Sequence, residues 1–381
     1  MKCKLNNGGI DIDMKIGLCG FGVVGRGVYE IVQKRADMQV SKVLCLEDIR
    51  LPDAEAVKDF SAIAADPEID TVVEAMGGLH PSYDFVSAAL KAGKNVVTSN
   101  KAMVCTFYDE LIPLAAEKGV SLRCTAAVGG GIGWLSELER SRRVQEITAV
   151  GGIMNGTCNY ILDNMTRLGL GYDQALKQAQ ALGYAEANPA TDVDGIDTWH
   201  KLILSSNIAF GISLDKQTVP VAGIRSITAA DVECFRQHGR VCKLISTGSR
   251  TDGGISAYVQ PTLVDAASPE GAVPLNYNLI TFVGETSERM SFYGQGAGRY
   301  PTAYNVVQDL VDVLSGKGFY APYGAPQAAD NRTALRYYIR GDWQGEAEET
   351  WSSGIITPPT PVSEIHAWLK EHPSAFIAAL A

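Results

Sequence analysis

The chain lacks the features that would tie it to a membrane, a nucleic acid or a disulfide framework. Across 381 residues no apolar run reaches the ~18 residues of a membrane span. Lys and Arg number 33 against 43 Asp and Glu, a formal net charge of −10, and form no basic run. That balance excludes broad affinity for nucleic acids or anionic membranes. The eight cysteines, Cys3, Cys19, Cys45, Cys105, Cys124, Cys158, Cys234 and Cys242, contain no C-x-x-C pair. Several fall in expected core strands, so reduced, buried thiols in a cytosol are expected. His80, His200, His238, His366 and His372 have no metal-ligand spacing, and no repeat or low-complexity tract is present. The polar stretch Asn6 to Asp13 holds no apolar signal segment, and residues 1–13 read as a short extension. What remains, 46% hydrophobic and 20% charged residues, is ordinary for a cytoplasmic globular protein with a sizeable core. Its length predicts roughly two to three domains.

Glycine, in contrast, stands at particular places. Gly20-Phe21-Gly22-Val23-Val24-Gly25 follows the apolar run Ile16–Cys19 and precedes a helix-like stretch from Arg26 to Gln33. Between a strand and a helix, the first glycine allows a tight turn and the second lets backbone approach a pyrophosphate. The third lets helix and strand pack closely. Free N–H groups at the helix start then bind the diphosphate. The expected acidic residue, about 20 residues on, accepts from the ribose 2′-hydroxyl. Glu47, followed by Asp48, stands there at the end of the strand Val43–Leu46. A dinucleotide is the expected ligand of this end of the chain.

From Met14 to about Leu122 short apolar strands alternate with amphipathic helices. Strands are expected at 69–74, 95–98 and 121–124, with helices from Pro81 to Ala92 and about 107–118. That alternation predicts an α/β domain, a Rossmann-type doubly wound parallel sheet with right-handed crossovers. Gly20–Gly25, Glu47, the turn at Gly77 and the segment Ser99–Lys101 then gather beyond the carboxyl ends of the strands. After Ala127–Gly133 the texture changes. Strands near 147–154, 256–262 and 279–283 predict a second, mixed sheet in an α+β domain. Phe292 to Gly298 reads as a glycine-rich turn before a helix from Thr302 to Leu314 that returns to the first domain. The expected division is 1–13 extension, 14–150 dinucleotide-binding domain, 151–300 second domain, 301–330 returning helix and 331–381 irregular tail with a short helix near 362–370.

The densest polar cluster runs from Tyr184 to Lys201. Glu186, Asp192 and Asp194 sit in a loop feeding a helix from about Gly195 to Phe210. On that helix Asp197 and Lys201 are four apart and share a face. Such a pair, taken alone, reads as a solvated surface ion pair. The apolar residues that follow, Leu202 to Phe210, favour a buried one instead. A buried Lys beside an Asp can pass a proton to or from a carbonyl/alcohol couple. Lys101, past the fourth strand, reads either as surface decoration or as a residue near the nicotinamide.

These segments resemble the homoserine dehydrogenase family. The resemblance rests on Gly20–Gly25, Glu74–Gly78, Gly93–Lys101, Val128–Ile132, Gly152–Leu162, Glu186–Lys201 and Tyr293–Thr302, in family order over residues 14 to about 320. It implies NAD(P)-dependent interconversion of L-homoserine and L-aspartate 4-semialdehyde, on the way to threonine, methionine and isoleucine. It implies Lys201 as acid/base and Asp197 as the residue that orients it and contacts substrate. Glu186 and Asp192 would hold the substrate ammonium, and Lys101 would place the hydroxyl. Gly20, Phe21, Gly22, Val23, Val24, Gly25, Glu47, Gly77, Ser99, Lys101 and Gly298 would hold the cofactor. The second domain would carry catalysis and, through its sheet, homodimerisation.

The departures matter too. Glu47 stands where family members often carry Arg, which predicts preference for NAD over NADP. The family's sodium site would use the backbone carbonyls of Val128, Gly130 and Ile132, but its carboxylate position is Thr125. Gly133 replaces a usual Pro, Asn188 a usual Asp and Cys158 a usual Thr. Arg336–Arg340 resembles the first strand of a regulatory ACT domain, yet too little chain follows to complete one, so threonine feedback through it is not expected. Two further readings remain: a paralogous NAD-dependent dehydrogenase of another small amino-acid-derived alcohol or aldehyde, and a nucleotide-binding protein without catalysis.

Overall fold

The computed structural model describes residues 13–319 and 321–381. Of the expected extension, residues 1–12, with Cys3, lie outside the described residues. The chain divides into two compact units. One runs to Gly131 and takes in Gly298–Phe319; the other comprises Ile132–Ala297 and the C-terminal segment after Phe319.

The first unit is built on strands β1 (Met14–Cys19), β2 (Met38–Leu44), β3 (Glu55–Val57), β4 (Thr71–Glu74), β5 (Asn95–Thr98) and β6 (Leu122–Arg123). They lie in the order β3-β2-β1-β4-β5-β6, every pair parallel. This is the doubly wound order, with its crevice where the direction of winding reverses, between β1 and β4. β1 and β4 are buried almost throughout, as a sheet covered on both faces demands. Ile16, Leu18, Val28 and Val73 share one core with Ala303, Val306, Val307 and Leu310 of the helix Arg299–Leu314. Gly27 permits that packing, because a Cβ there would come within 2.9 Å of the Ala303 methyl.

The second unit carries β7 (Ile147–Ile153), β8 (Arg240–Thr251), β9 (Gly254–Asp265), β10 (Tyr277–Gly284) and β11 (Glu288–Gln295). Six short strands follow: β12 (Ala334–Leu335), β13 (Tyr337–Arg340), β14 (Glu349–Thr350), β15 (Ile355–Ile356), β16 (Thr360–Pro361) and β17 (Phe376–Leu380). Nine of these eleven form one mixed sheet, β11-β10-β7-β8-β9-β17-β13-β15-β14, in which β17 runs parallel to β9. β12 pairs separately with β16.

Three sequence expectations need correction. The first unit ends at Gly131 rather than near 150, because the helix Trp134–Ser141 belongs to the second unit. There Trp134 is fully buried and its indole N–H donates to Ser205 Oγ at 2.8 Å. Residues 292–295, read as a turn, complete β11, whose full length pairs with β10. The segment 331–381 is no loose tail. β13 and β17 pair with each other, and the helix Val362–Glu371 buries Val362 and Ile365 against Tyr258, Tyr337 and Ile377. Arg336–Arg340 therefore serves the second unit's own sheet.

Candidate active site

The glycine turn has the geometry its spacing implies. Gly20 holds φ +94°, a region open to glycine and strained for other residues. A Cβ on Gly25 would run into the Gly20 carbonyl oxygen, whereas one on Gly22 would meet nothing within 4 Å. The helix spans Val23–Val32, three residues earlier than its apolar pattern suggests. Its first N–H groups, at Val23, Val24 and Gly25, therefore follow directly on the turn with Phe21 and Gly22. This cradle, open at Gly22 and closed at Gly25, fits a pyrophosphate at a helix N-terminus.

The two loops beyond β4 and β5 are held by a carboxylate that has no solvent exposure. Glu74 Oε1 accepts from the backbone N–H of Met76 and Gly77 at 2.8 and 3.2 Å, and Oε2 from Thr98 Oγ1 at 2.6 Å. Thr98 in turn accepts from the Asn100 N–H, and Asn100 donates from Nδ2 to the Gly78 carbonyl at 2.7 Å. Asn100 Oδ1 also caps the helix Lys101–Thr106. Gly77, Ser99 and half-buried Lys101 thus ride on a network anchored by Glu74, Thr98 and Asn100, three residues outside the glycine motif itself. The signal was there: a polar residue at the end of each buried strand is costly unless it is satisfied.

Glu47 lies past β2 with its side chain 75% exposed, and Arg26 Nη2 lies 3.6 Å away. Arg26 Nε also donates to the Phe21 carbonyl at 2.9 Å. Gly298, with φ +124°, begins the helix Arg299–Leu314, where Arg299 and Tyr300 both bind Glu30.

The catalytic candidates of the second unit centre on one asparagine. Asn155 Nδ2 donates to Asp192 Oδ1 at 2.7 Å and to Asp197 Oδ2 at 2.8 Å. Its Oδ1 accepts from the Cys158 N–H and caps the helix Gly156–Leu168. Lys201 Nζ meets Asp197 Oδ2 at 2.8 Å and donates to the Met154 carbonyl at 2.6 Å, with both side chains under 10% exposed. They share the helix Ile196–Phe210, every residue of which from Lys201 to Phe210 is buried. Burial, reinforced by the neighbouring Asp197 charge, raises the Asp192 carboxyl above its usual range, and the Asn155 amide opposes that rise.

The three carboxylates of the 186–194 loop diverge. Asp192 joins the cluster, Asp194 pairs with Arg225, and Glu186 sits with an exposed side chain on a turn whose backbone carbonyl takes Gln180 Nε2. Cys158 is buried and donates to the Asp192 carbonyl at 3.2 Å. Burial pushes its thiol well above the ordinary range, as suits a packing residue.

Two of the three carbonyls expected to bind sodium already have hydrogen-bond donors. Gly130's carbonyl accepts from Asn305 Nδ2, and within the second unit Ile132's carbonyl accepts from the Trp134 N–H at 2.7 Å. Thr125 brings no charge and gives its N–H and hydroxyl to Asp309. Among the described residues no group of three or more His, Cys, Asp or Glu could hold a metal.

Comparison with known proteins supplies the family. Residues 20–125 match the family model described as homoserine dehydrogenase, NAD binding domain, and residues 134–311 match homoserine dehydrogenase. A homoserine dehydrogenase of Synechocystis sp. is 37% identical over 317 residues, covering 79% of this chain and 73% of the relative. That of Corynebacterium glutamicum is 36% identical over 353 residues, covering 86% and 79%. Among solved structures, a homoserine dehydrogenase from Thiobacillus denitrificans superposes with a TM-score of 0.83 at 30% identity, over 97% of this chain and 98% of that one. A Staphylococcus aureus homoserine dehydrogenase gives 0.76 at 27% identity, over the same shares of the two chains. Matched in order through both the nucleotide cradle and the Asn155–Lys201 cluster, the chain belongs to the homoserine dehydrogenase family of NAD(P)-dependent oxidoreductases.

Proposed function

We propose that Lys201, Asp197, Asn155 and Asp192 carry the proton and substrate chemistry by which this chain interconverts L-homoserine and L-aspartate 4-semialdehyde. Bound NAD(P) supplies the hydride acceptor or donor. In oxidation, Lys201 Nζ takes up the hydroxyl proton, and in reduction it returns that proton to the aldehyde oxygen. Asp197 and the Met154 carbonyl take two of its N–H directions, so among the described residues one is left for the substrate oxygen. Asp192 and Glu186 accept from the substrate ammonium. The observation that carries this reading is the buried Lys201–Asp197 pair, because burying two charges is costly and an apolar pair would serve stability as well.

NAD is the preferred cofactor in this reading. An exposed carboxylate at Glu47 accepts from a ribose hydroxyl and repels a 2′-phosphate. A homodimer formed through the nine-stranded sheet belongs to the same reading, as the family resemblance implies. A cytoplasmic location suits the seven free thiols among the described residues. No described helix is long and apolar enough to cross a membrane. Because the glycine loop fits sodium poorly, no step is routed through a cation.

Homoserine deuterated at the hydroxyl-bearing carbon tests the reaction. Deuterium is expected on the reduced cofactor, with aspartate semialdehyde as the product. No cofactor reduction with saturating homoserine, alongside turnover of another amino alcohol, would transfer the site to a paralogous activity.

A further inference from the structure

One face of the helix Arg299–Leu314 grips the segment from Thr125 to Gly130 at both ends. Asn305 and Asp309 are four apart and share that face. Asp309, 1% exposed, accepts from the Thr125 N–H at 2.9 Å, from Thr125 Oγ1 at 2.7 Å and from Arg123 Nε at 3.0 Å. At the other end the loop turns through two left-handed glycines, Gly129 at φ +82° and Gly130 at φ +53°. There the Gly130 carbonyl receives Asn305 Nδ2, with Asn305 2% exposed. A carbonyl oxygen only accepts, so the amide must present its N–H₂ end to it.

Those groups are arranged against an alkali ion. Such an ion needs several oxygen atoms converging on it, and an N–H donor among them repels it. The carboxylate bound to Thr125, that of Asp309, is neutralised by Arg123, whose other arm takes Asp312 Oδ2 at 2.6 Å. Thr125 supplies no replacement charge. The bond from Asn305 does for Gly130's carbonyl what a cation would do: it satisfies a buried acceptor and holds the loop's path.

We propose that Asn305 is a positioning residue that stands in for the monovalent cation of this family, its amide N–H occupying the loop carbonyl, so that the protein folds and turns over without Na⁺ or K⁺. The proposal rests on the family membership but not on the identity of the substrate, and melting temperature reads it without turnover.

The test compares full-length wild type with Asn305→Asp and Asn305→Ala in NaCl, KCl and choline chloride at equal ionic strength. Wild-type Tm and turnover are expected to be the same in all three salts. Asn305→Asp, the same shape with an acceptor in place of the donor, is expected to melt lower in choline chloride. It should then recover by roughly 2–4 °C or more as NaCl saturates a newly made site. Asn305→Ala, with neither donor nor ligand, is expected to melt lower in every salt with no recovery. A saturable, Na⁺- or K⁺-specific rise in the Tm or turnover of the wild type would overturn the proposal. So would Asn305→Asp behaving as Asn305→Ala does in every salt. If Asn305→Asp does not fold, the wild-type salt series decides alone.

Discussion

Lys201 Nζ lies 2.8 Å from Asp197 Oδ2, one helical turn away on a helix buried on every side from Lys201 onward. Breaking a buried pair by removing one charge leaves the other uncompensated, at a cost of roughly 3–5 kcal/mol. Asp197→Asn should therefore lower Tm by more than the double variant Asp197→Asn/Lys201→Met, which removes the orphaned charge as well. A thermal-melt double-mutant cycle checks this. Equal or additive losses would mean that the two groups are not electrostatically coupled.

Asn155 joins two carboxylates that lie 37 and 42 residues away in sequence. Asn155→Ala should lower kcat/KM by roughly 10–100-fold. It should also move the acid limb of the pH profile upward, because the amide that restrains the raised Asp192 carboxyl is gone. Losing the helix cap costs about 1 kcal/mol besides. Asn155→Ser, which can cap but cannot bridge both carboxylates, should recover stability while keeping the shifted limb.

The parallel sheet was legible because buried strands and amphipathic helices announce themselves by periodicity, and the glycine turn by its spacing. Edge and tail strands were not. β11 is exposed along nearly all of Glu288–Gln295, and only Phe292 among its residues packs on buried aromatics, so its apolar face is weak. Residues 336–340 do resemble a strand, but the partner β13 finds, β17, lies across a long, polar stretch of chain, and tertiary pairing sets it. At the site, the spacing of Asp197 and Lys201 on one helix was readable, but the convergence of Asn155 with Asp192 was not.

Cofactor choice should respond to a single charge. Glu47→Arg is expected to shift the ratio of kcat/KM for NAD over NADP toward NADP by one to two orders of magnitude. That is roughly the 1–3 kcal/mol of a new charge-assisted hydrogen bond to the 2′-phosphate together with relief of the carboxylate's repulsion. Steady-state kinetics with both cofactors check it. A wild type that already prefers NADP would contradict the role given to Glu47.

His366 is buried, with Nε2 2.9 Å from Gln260 Oε1, and burial, aided by the Lys370 charge, pushes its pKa from 6.5 down to about 4. A depressed histidine stays neutral in the folded protein while the unfolded chain takes up a proton. Its penalty is absent above pH 6.5 and grows as pH falls towards 4, to on the order of 2–3 kcal/mol. His366→Leu should thus lose less Tm than wild type between neutral and mildly acidic pH, whatever its stability at neutrality. Parallel Tm-against-pH curves would contradict it.

The central claim is that Lys201 moves the proton in homoserine oxidation. Its most direct test is the rate of nicotinamide reduction by L-homoserine at saturating cofactor, for wild type and Lys201→Ala, with folding checked by circular dichroism. The account predicts a folded variant whose kcat is lower by roughly 10²–10⁴-fold. A folded Lys201→Ala with near-native kcat would contradict it.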